Sequence, residues 1–473
     1  MVPCVVVAGI ASGVGKTTTT IGLARALALR GLRVALFKCG PDYLDPTYHA
    51  RATGRPSHNL DGWMMGRDAV LATFARGTAD ADIAVVEGVM GLFDGASPTS
   101  EHGSTAEIAK WLGAPVIAVI DASGMARTVA AIAQGLAAFD PELRVAALLA
   151  NRVGSGGHLD LLRAASRQVP VVGGLPKRSD LSFPERHLGL HTADEQVLPQ
   201  ATLDRWGEVA TEWIALDRVL EIAREAKTTA PSARPVAERP RTSCAIGIAW
   251  DEALHFYYDD NLRRLEELGA KLVRFSPVHD EALPDVDGLY LGGGYPEVHA
   301  AQLAANEPMR AAVRAFAREG SPVYAECGGL MYLARAIRTL DGASHEMVGL
   351  IDAEAIMKPK LVALGYVEVE TQRPSILGPA GLRFRGHQFR YSELDASEAA
   401  LAEPAYSVRR RRGGEVSREG YQRDGVLASY VHAHWASNPL AARGFVEACA
   451  SSARRKIRSA ERSSETPAPE GGR

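Results

Sequence analysis

The sequence lacks any C-x-x-C pair: its five cysteines, Cys4, Cys39, Cys244, Cys327 and Cys449, are odd in number and far apart. That spacing argues against a structural zinc site or a disulfide framework and suits a reducing, cytoplasmic setting. No apolar run approaches the ~18 residues that would mark a bilayer-spanning helix. The apolar stretch near the N-terminus is short and has no basic flank, so it reads as a core strand rather than a signal peptide. An excess of one charge is missing too, because 53 Lys plus Arg against 56 Asp plus Glu leave a net charge of −3. Such a chain has no global attraction for nucleic acid or an anionic membrane, and neither is expected as a partner. Internal repeats and a low-complexity core are also absent.

With 473 residues, 46% of them hydrophobic and 23% charged, the chain can bury two or three cores. An apolar strand, Cys4 to Val7, leads into Ala8-Gly9-Ile10-Ala11-Ser12-Gly13-Val14-Gly15-Lys16-Thr17-Thr18 and then into a helix rich in alanine and leucine. Strand, glycine loop and helix in that order form a phosphate cradle. Backbone N–H groups from Ser12 to Thr18 surround a polyphosphate, Lys16 adds a point charge, and the Thr17 hydroxyl reaches a magnesium ion. The G-x-x-x-x-G-K-S/T pattern is off by one place, with Ile10 where the first glycine is expected and Gly9 one residue earlier.

Apolar runs at 32–37, 83–86, 116–120 and 145–149 alternate with helical patterns and predict an α/β domain with a parallel sheet. Ligands of such sheets sit beyond the strand carboxyl ends. Lys38, Asp42, Asp45, Glu87, Asp94, Asp121, Asn151 and Arg152 fall there and are the candidates for chemistry. Residues 1–222 are assigned to this domain, and the proline-bearing stretch 223–243 to a linker. A second α/β domain occupies 244–450, with an antiparallel or edge addition at 363–369 and 382–391. The Arg- and Ser-rich stretch 451–473 is expected to be disordered. The basic run Arg409 to Arg412 reads as a solvated loop.

In that second domain a strand at 323–325 runs into Glu326-Cys327-Gly328-Gly329-Leu330 and a helix, the pattern of a nucleophile elbow. A helix N-terminus is expected to lower the Cys327 thiol pKa, and Gly328 to offer a backbone N–H to an oxyanion. Gly293 and Gly294, in Leu291-Gly292-Gly293-Gly294-Tyr295-Pro296-Glu297, end a neighbouring strand and are candidates for a second donor. His432, in Ser429-Tyr430-Val431-His432-Ala433-His434, is the candidate general base.

These elements resemble the class I glutamine amidotransferases. Gly-Gly-Gly-Tyr-Pro-Glu, Ala-Glu-Cys-Gly-Gly-Leu-Met-Tyr-Leu and Ser-Tyr-Val-His are most similar to the cobyrinic acid a,c-diamide synthase family. Lys38 to Pro46, Val86 to Gly95 and Asn151 to Ser155 are similar to motifs of the same family. The resemblance implies amidation of two acetate carboxylates of a corrinoid, with ATP, magnesium and glutamine. Its P-loop part is similar to dethiobiotin-synthetase-like enzymes, which lack the extra lysine that partition ATPases carry at the position of Ala11. It implies magnesium at Thr17, Glu87 and Asp42 or Asp45, Lys38 near the γ-phosphate, and Asn151 near adenine. Asp42, Tyr43, Leu44 and Asp45 would meet the substrate.

Arg390 stands where the family is expected to carry histidine, and Gln388 where it carries glutamate; neither is expected to touch the catalytic set. His434 occupies the place of the usual triad glutamate. Cobalt-free hydrogenobyrinic acid as substrate, a regulatory P-loop ATPase with an inactive amidotransferase-like module, and a homodimeric assembly stay open.

Overall fold

A computed structural model describes residues 2–181, 198–227, 243–397 and 403–464. The chain divides into two compact units, Met1–Val236 and Ala237–Arg473. Much of the predicted linker, 228–242, lies outside the described residues. Its first two positions are not linker: Ala223 is buried in helix Leu216–Arg224, packed into the first unit's core.

The first unit is built on seven strands: β1 (Cys4–Gly9), β2 (Val34–Cys39), β3 (His58–Leu60), β4 (Ile83–Glu87), β5 (Val116–Asp121), β6 (Val145–Val153) and β7 (Val171–Pro176). They form one parallel sheet in the order β3-β2-β4-β1-β5-β6-β7. Both faces are buried, which is why these strands read as continuous apolar runs. On one face Val5, Val7, Val85 and Val119 pack against Ile21 and Leu27 of helix Lys16–Leu29. Helix Gln200–Trp213 closes over that helix, fixed by the Arg25–Asp204 ion pair at 2.5 Å and by a hydrogen bond from Trp206 Nε1 to Asp180 O at 2.7 Å. The strands β1, β2, β4 and β6 all end at one edge of the sheet. Lys16, Lys38, Glu87 and Asn151 therefore converge, as the parallel topology requires.

In the second unit, β8 (Cys244–Ala249), β9 (Leu254–Phe256), β10 (Ala270–Phe275), β11 (Gly288–Leu291), β12 (Gly293–Gly294) and β13 (Val323–Glu326) come first. The central sheet has the order β10-β8-β11-β13, then Val426–Ser429 and finally Tyr421–Arg423, and only that last pairing is antiparallel. Side chains alternate strictly across it. Leu289 and Leu291 enter one core with Val323 and Ala325, while Tyr290 and Tyr324 enter the other with Trp435 and Phe445. Strands Ala363–Thr371 and Arg383–Arg390 pair antiparallel, and Arg383–Arg390 also pairs with His432–His434. That register sets His387 opposite His432.

The expectation of disorder from residue 451 is overturned for its first part, because helix Pro439–Ser464 continues through it. Phe445, Cys449 and Ser452 are buried at helical spacing, and Lys456 Nζ donates to Val286 O at 2.5 Å. The helix is anchored by Phe445 and Cys449, which lie before the polar stretch. Among the described residues no helix is long and apolar enough to cross a membrane.

The C-terminal helix approaches the chain at residue 377 so closely that a Cβ on Gly444 would lie 2.2 Å from Leu377 O. Gly444→Ala should destabilise the second unit by about 1–3 kcal/mol, read as a lowered urea midpoint. An unchanged midpoint would contradict this packing.

Candidate active sites

The phosphate loop joins β1 to helix Lys16–Leu29. Gly13 and Gly15 have φ of 79° and 92°, a left-handed region open to glycine at little cost. Gly15 is doubly constrained: a Cβ there would lie 1.9 Å from Asn151 Nδ2. Asn151, at the end of β6, donates from that nitrogen to Val14 O at 2.9 Å and so braces the loop. Arg152 donates to Gly13 O at 3.2 Å and pairs with Asp121 at 2.5 Å. The displaced glycine also has its reason. A Cβ on Gly9 would lie 2.8 Å from Val14 Cγ2 and 2.9 Å from the Lys16 side chain, so the loop folds back over Gly9. Ser12 and Gly13 are exposed, and Thr17 and Thr18 lie in the first helical turn.

Lys16 Nζ donates to Ala11 O at 2.9 Å and to Met90 O at 2.6 Å. Burial and then the Lys38 charge lower its pKa. Below it is a buried cluster of opposite charges. Lys38 Nζ lies 2.7 Å from both Asp45 Oδ2 and Glu87 Oε1. Thr17 Oγ1 donates to Glu87 Oε1 at 2.7 Å, and His49 Nε2 lies 2.6 Å from Glu87 Oε2. Burial opposes charge on Lys38 and Glu87, but Asp45 and Glu87 hold the ammonium charged, while Lys38 and His49 hold the Glu87 carboxyl well below its usual range. Asp45 behaves otherwise: burial, then the Asp42 charge, push it up to about 6.

Thr17, Asp45 and Glu87 are thus together, as hard oxygen donors of the kind magnesium takes beside phosphate oxygens. Asp42 acts locally instead, its Oδ1 accepting from Leu44 N at 2.8 Å and Asp45 N at 2.9 Å. Of the other predicted substrate residues, Leu44 packs against the core and Tyr43 is half-buried beside it. Among the described residues no set of three or more His, Cys, Asp or Glu side chains is arranged to hold a metal ion. Two carboxylates and a hydroxyl would need nucleotide oxygens to complete a shell. His49 escaped the sequence reading; its one signal is its place four residues after Asp45 on helix Asp45–Thr53.

The second site lies where β11 and β13 end. Cys327 has φ 46° and ψ −100°, a strained elbow between β13 and the short helix Gly328–Leu333. It is locked by Cys327 N donating to Ser429 O at 2.8 Å and Gly329 N donating to Gly292 O at 2.9 Å. Glu419 holds the partner turn, accepting from Ser429 Oγ at 2.8 Å and Tyr430 N at 2.6 Å.

The glycines divide their work. A Cβ on Gly293 would lie 2.4 Å from His432 Cε1, so Gly293 makes room for the imidazole. A Cβ on Gly328 would lie 3.0 Å from Gly294 N, which places the two predicted oxyanion donors together. His432 stacks on His387 with ring centroids 4.9 Å apart. Glu326, beside the nucleophile, accepts from Tyr324 Oη at 2.8 Å, Ala433 N at 3.0 Å and Tyr290 Oη at 3.1 Å, and burial pushes its carboxyl up to about 7.

The expected lowering of the Cys327 pKa is corrected. Burial pushes the thiol up to about 12, reinforced by the Glu297 carboxylate, against the weaker pull of Arg390 and the Gly328 N–H. Burial likewise takes His432 down to about 3. The Cys327 thiol and the His432 imidazole are thus both neutral near pH 7. Arg390 is also corrected: its charge reaches Cys327, and the adjoining Phe389 O lies 3.8 Å from Cys327 Sγ.

The two units match two family models: the CobQ/CobB/MinD/ParA nucleotide binding domain over residues 5–190, and the CobB/CobQ-like glutamine amidotransferase domain over residues 245–440. Among curated proteins, the chain is 53% identical over 450 residues to a cobyrinate a,c-diamide synthase of Leptospira interrogans, covering 95% of this chain and 98% of that one. The relative of the same name from Syntrophotalea carbinolica is 49% identical over 94% of this chain and 98% of its own. That from Priestia megaterium is 43% identical over 94% and 96%.

Lys38→Met would leave Glu87 and Asp45 facing each other without a cation and should cost about 3–5 kcal/mol of stability at pH 8. The Asp45 carboxyl, already raised by burial and by Asp42, would then lie still further above its unfolded value. The cost is therefore present at high pH and relieved as pH falls through the Asp45 range, which lies above about 6 once the Lys38 charge is gone. Urea titrations at pH 8 and pH 5.5 check this, and equal losses at both would contradict it.

Proposed function

The chain belongs to the cobyrinate a,c-diamide synthase family, and from that premise we propose that it amidates the a and c acetate carboxylates of cobyrinic acid, using ATP and glutamine. The observation that carries this reading is the presence in one chain of the Lys16 phosphate loop and the Cys327–His432 pair, each at the carboxyl edge of its own sheet. A carboxylate does not condense with ammonia at neutral pH, so an oxygen must first become a leaving group. One carboxylate oxygen of the corrinoid attacks the γ-phosphorus of ATP, giving an acyl phosphate and ADP. Ammonia then adds to the acyl carbon and inorganic phosphate departs, leaving the amide.

In the first unit, Lys16 and Lys38 stabilise charge on the transferring phosphoryl group, and the backbone of Ser12 to Thr18 holds the triphosphate. Asn151 keeps the loop in shape through Val14. Thr17, Asp45 and Glu87 would hold magnesium with the phosphates, and the ion supplies charge neutralisation. The turn Asp42-Tyr43-Leu44-Asp45 is assigned to the corrinoid side.

In the second unit, Cys327 Sγ attacks the glutamine amide carbon while His432 takes the thiol proton. The Gly294 and Gly328 N–H groups face the developing oxyanion. His432 returns the proton to the departing nitrogen, which leaves as ammonia, and water hydrolyses the thioester to glutamate.

Two variants separate the half-reactions. Cys327→Ala should abolish glutamine-dependent amidation, by at least about 1,000-fold, and leave ammonia-dependent amidation intact. Lys16→Ala should stop amidation from either nitrogen source. Loss of both activities in the first variant, or ammonia-driven activity in the second, would refute these roles.

A further inference from the structure

A cavity of about 300 Å3 in the second unit has a lining that includes Leu330, Arg390, Arg418, Glu419 and Tyr430. Leu330 is three residues beyond Cys327 on the same short helix, and Arg390 adjoins Phe389, whose carbonyl oxygen is 3.8 Å from Cys327 Sγ. Arg390 thus belongs both to this cavity and to the charged surroundings of the Cys327 sulfur. Of the cavity's two arginines, Arg418 is exposed and Arg390 is held in place. Its guanidinium lies over the Tyr430 ring at 4.4 Å, and its Nη1 donates to Ser392 O at 2.5 Å. Tyr430 Oη is held in turn by Ser392 Oγ at 3.0 Å. These contacts fix the plane of the guanidinium, while its buried Nε has no hydrogen-bond acceptor among the described residues.

The acids of the same cavity make their hydrogen bonds and ion pairs with other groups, although the Arg390 charge also reaches Glu419. Glu419 accepts from Ser429 and Tyr430, and Glu393 pairs with Lys358 at 3.2 Å. A planar, pre-oriented guanidinium beside a nucleophile matches a small carboxylate, which it can bind with two parallel hydrogen bonds.

We propose that this cavity seats the amino-acid end of glutamine and that Arg390 pairs with its α-carboxylate, leaving the side-chain amide at Cys327. The assignment rests on the reading of glutamine as nitrogen donor and adds its specificity residue. It separates glutamine from simple amides, because only a donor with the carboxylate engages Arg390. The position taken for a departure from the family pattern is then a substrate contact.

Steady-state ammonia release from glutamine by the full-length protein tests it. Arg390→Met should raise the KM for glutamine about 30-fold and leave kcat within about 3-fold, with ammonia-dependent amidation unchanged; Arg390→Lys should recover much of the loss. A KM within 3-fold of the parent overturns the proposal. So does a fall in kcat at constant KM, which would mean that Arg390 acts only on the thiol, and so does loss of the ammonia-driven reaction, which would mean a structural role. If the parent protein itself amidates with ammonia yet releases none from glutamine, the donor reading fails and this assignment with it. Intact parental turnover with an unaltered variant KM removes Arg390 alone.

Discussion

The Lys38 ammonium, buried between Glu87 and Asp45, is the interaction on which the first unit's site depends. Charges removed from water survive only when paired and hydrogen-bonded, and here one cation neutralises two acids that arrive from different segments. Lys38 is the last but one residue of β2, Glu87 ends β4, and Asp45 opens the helix that also carries His49. The cluster ties these segments to the phosphate loop through Thr17. It keeps hard oxygen donors oriented beneath the nucleotide position, which is what phosphoryl transfer asks of a protein.

The second unit solves a different problem with the same geometry of strand ends. Its candidate nucleophile, Cys327, is buried rather than exposed to solvent, and burial outweighs the pull of a six-residue helix on the thiol. A buried, neutral thiol resists adventitious alkylation and oxidation. Reactivity then depends on placement. The strained Cys327 backbone, the Ser429 carbonyl and the Glu419 anchor hold the sulfur, while the absence of a Cβ at Gly293 admits His432.

Much of this was legible in the sequence, because glycine turns at strand ends and apolar runs carry strong local signals. The phosphate loop, the elbow at Cys327 and the strand preceding each follow from pattern alone, whereas the segments expected as an antiparallel or edge addition to the central sheet pair antiparallel within a separate sheet. What escaped is tertiary. Nothing near His49 announces that it meets Glu87, 38 residues later. Arg390 looked peripheral because its neighbours Tyr430 and Cys327 come from other strands and turns. Residues from 451 looked disordered because Arg and Ser dominate the composition, yet one buried face carries the helix onward. The thiol pKa was misjudged because a helix terminus is visible in sequence and desolvation is not.

The most direct test of the central claim is the mass gained by corrinoid acids incubated with the protein, ATP and glutamine labelled with 15N at the amide. Two successive amidations of cobyrinic acid or of its cobalt-free counterpart, each carrying one label, and none of cobyrinic acid a,c-diamide, are the predicted result. Amidation of the a,c-diamide alone, or no transfer of label to any of the three, would contradict the account.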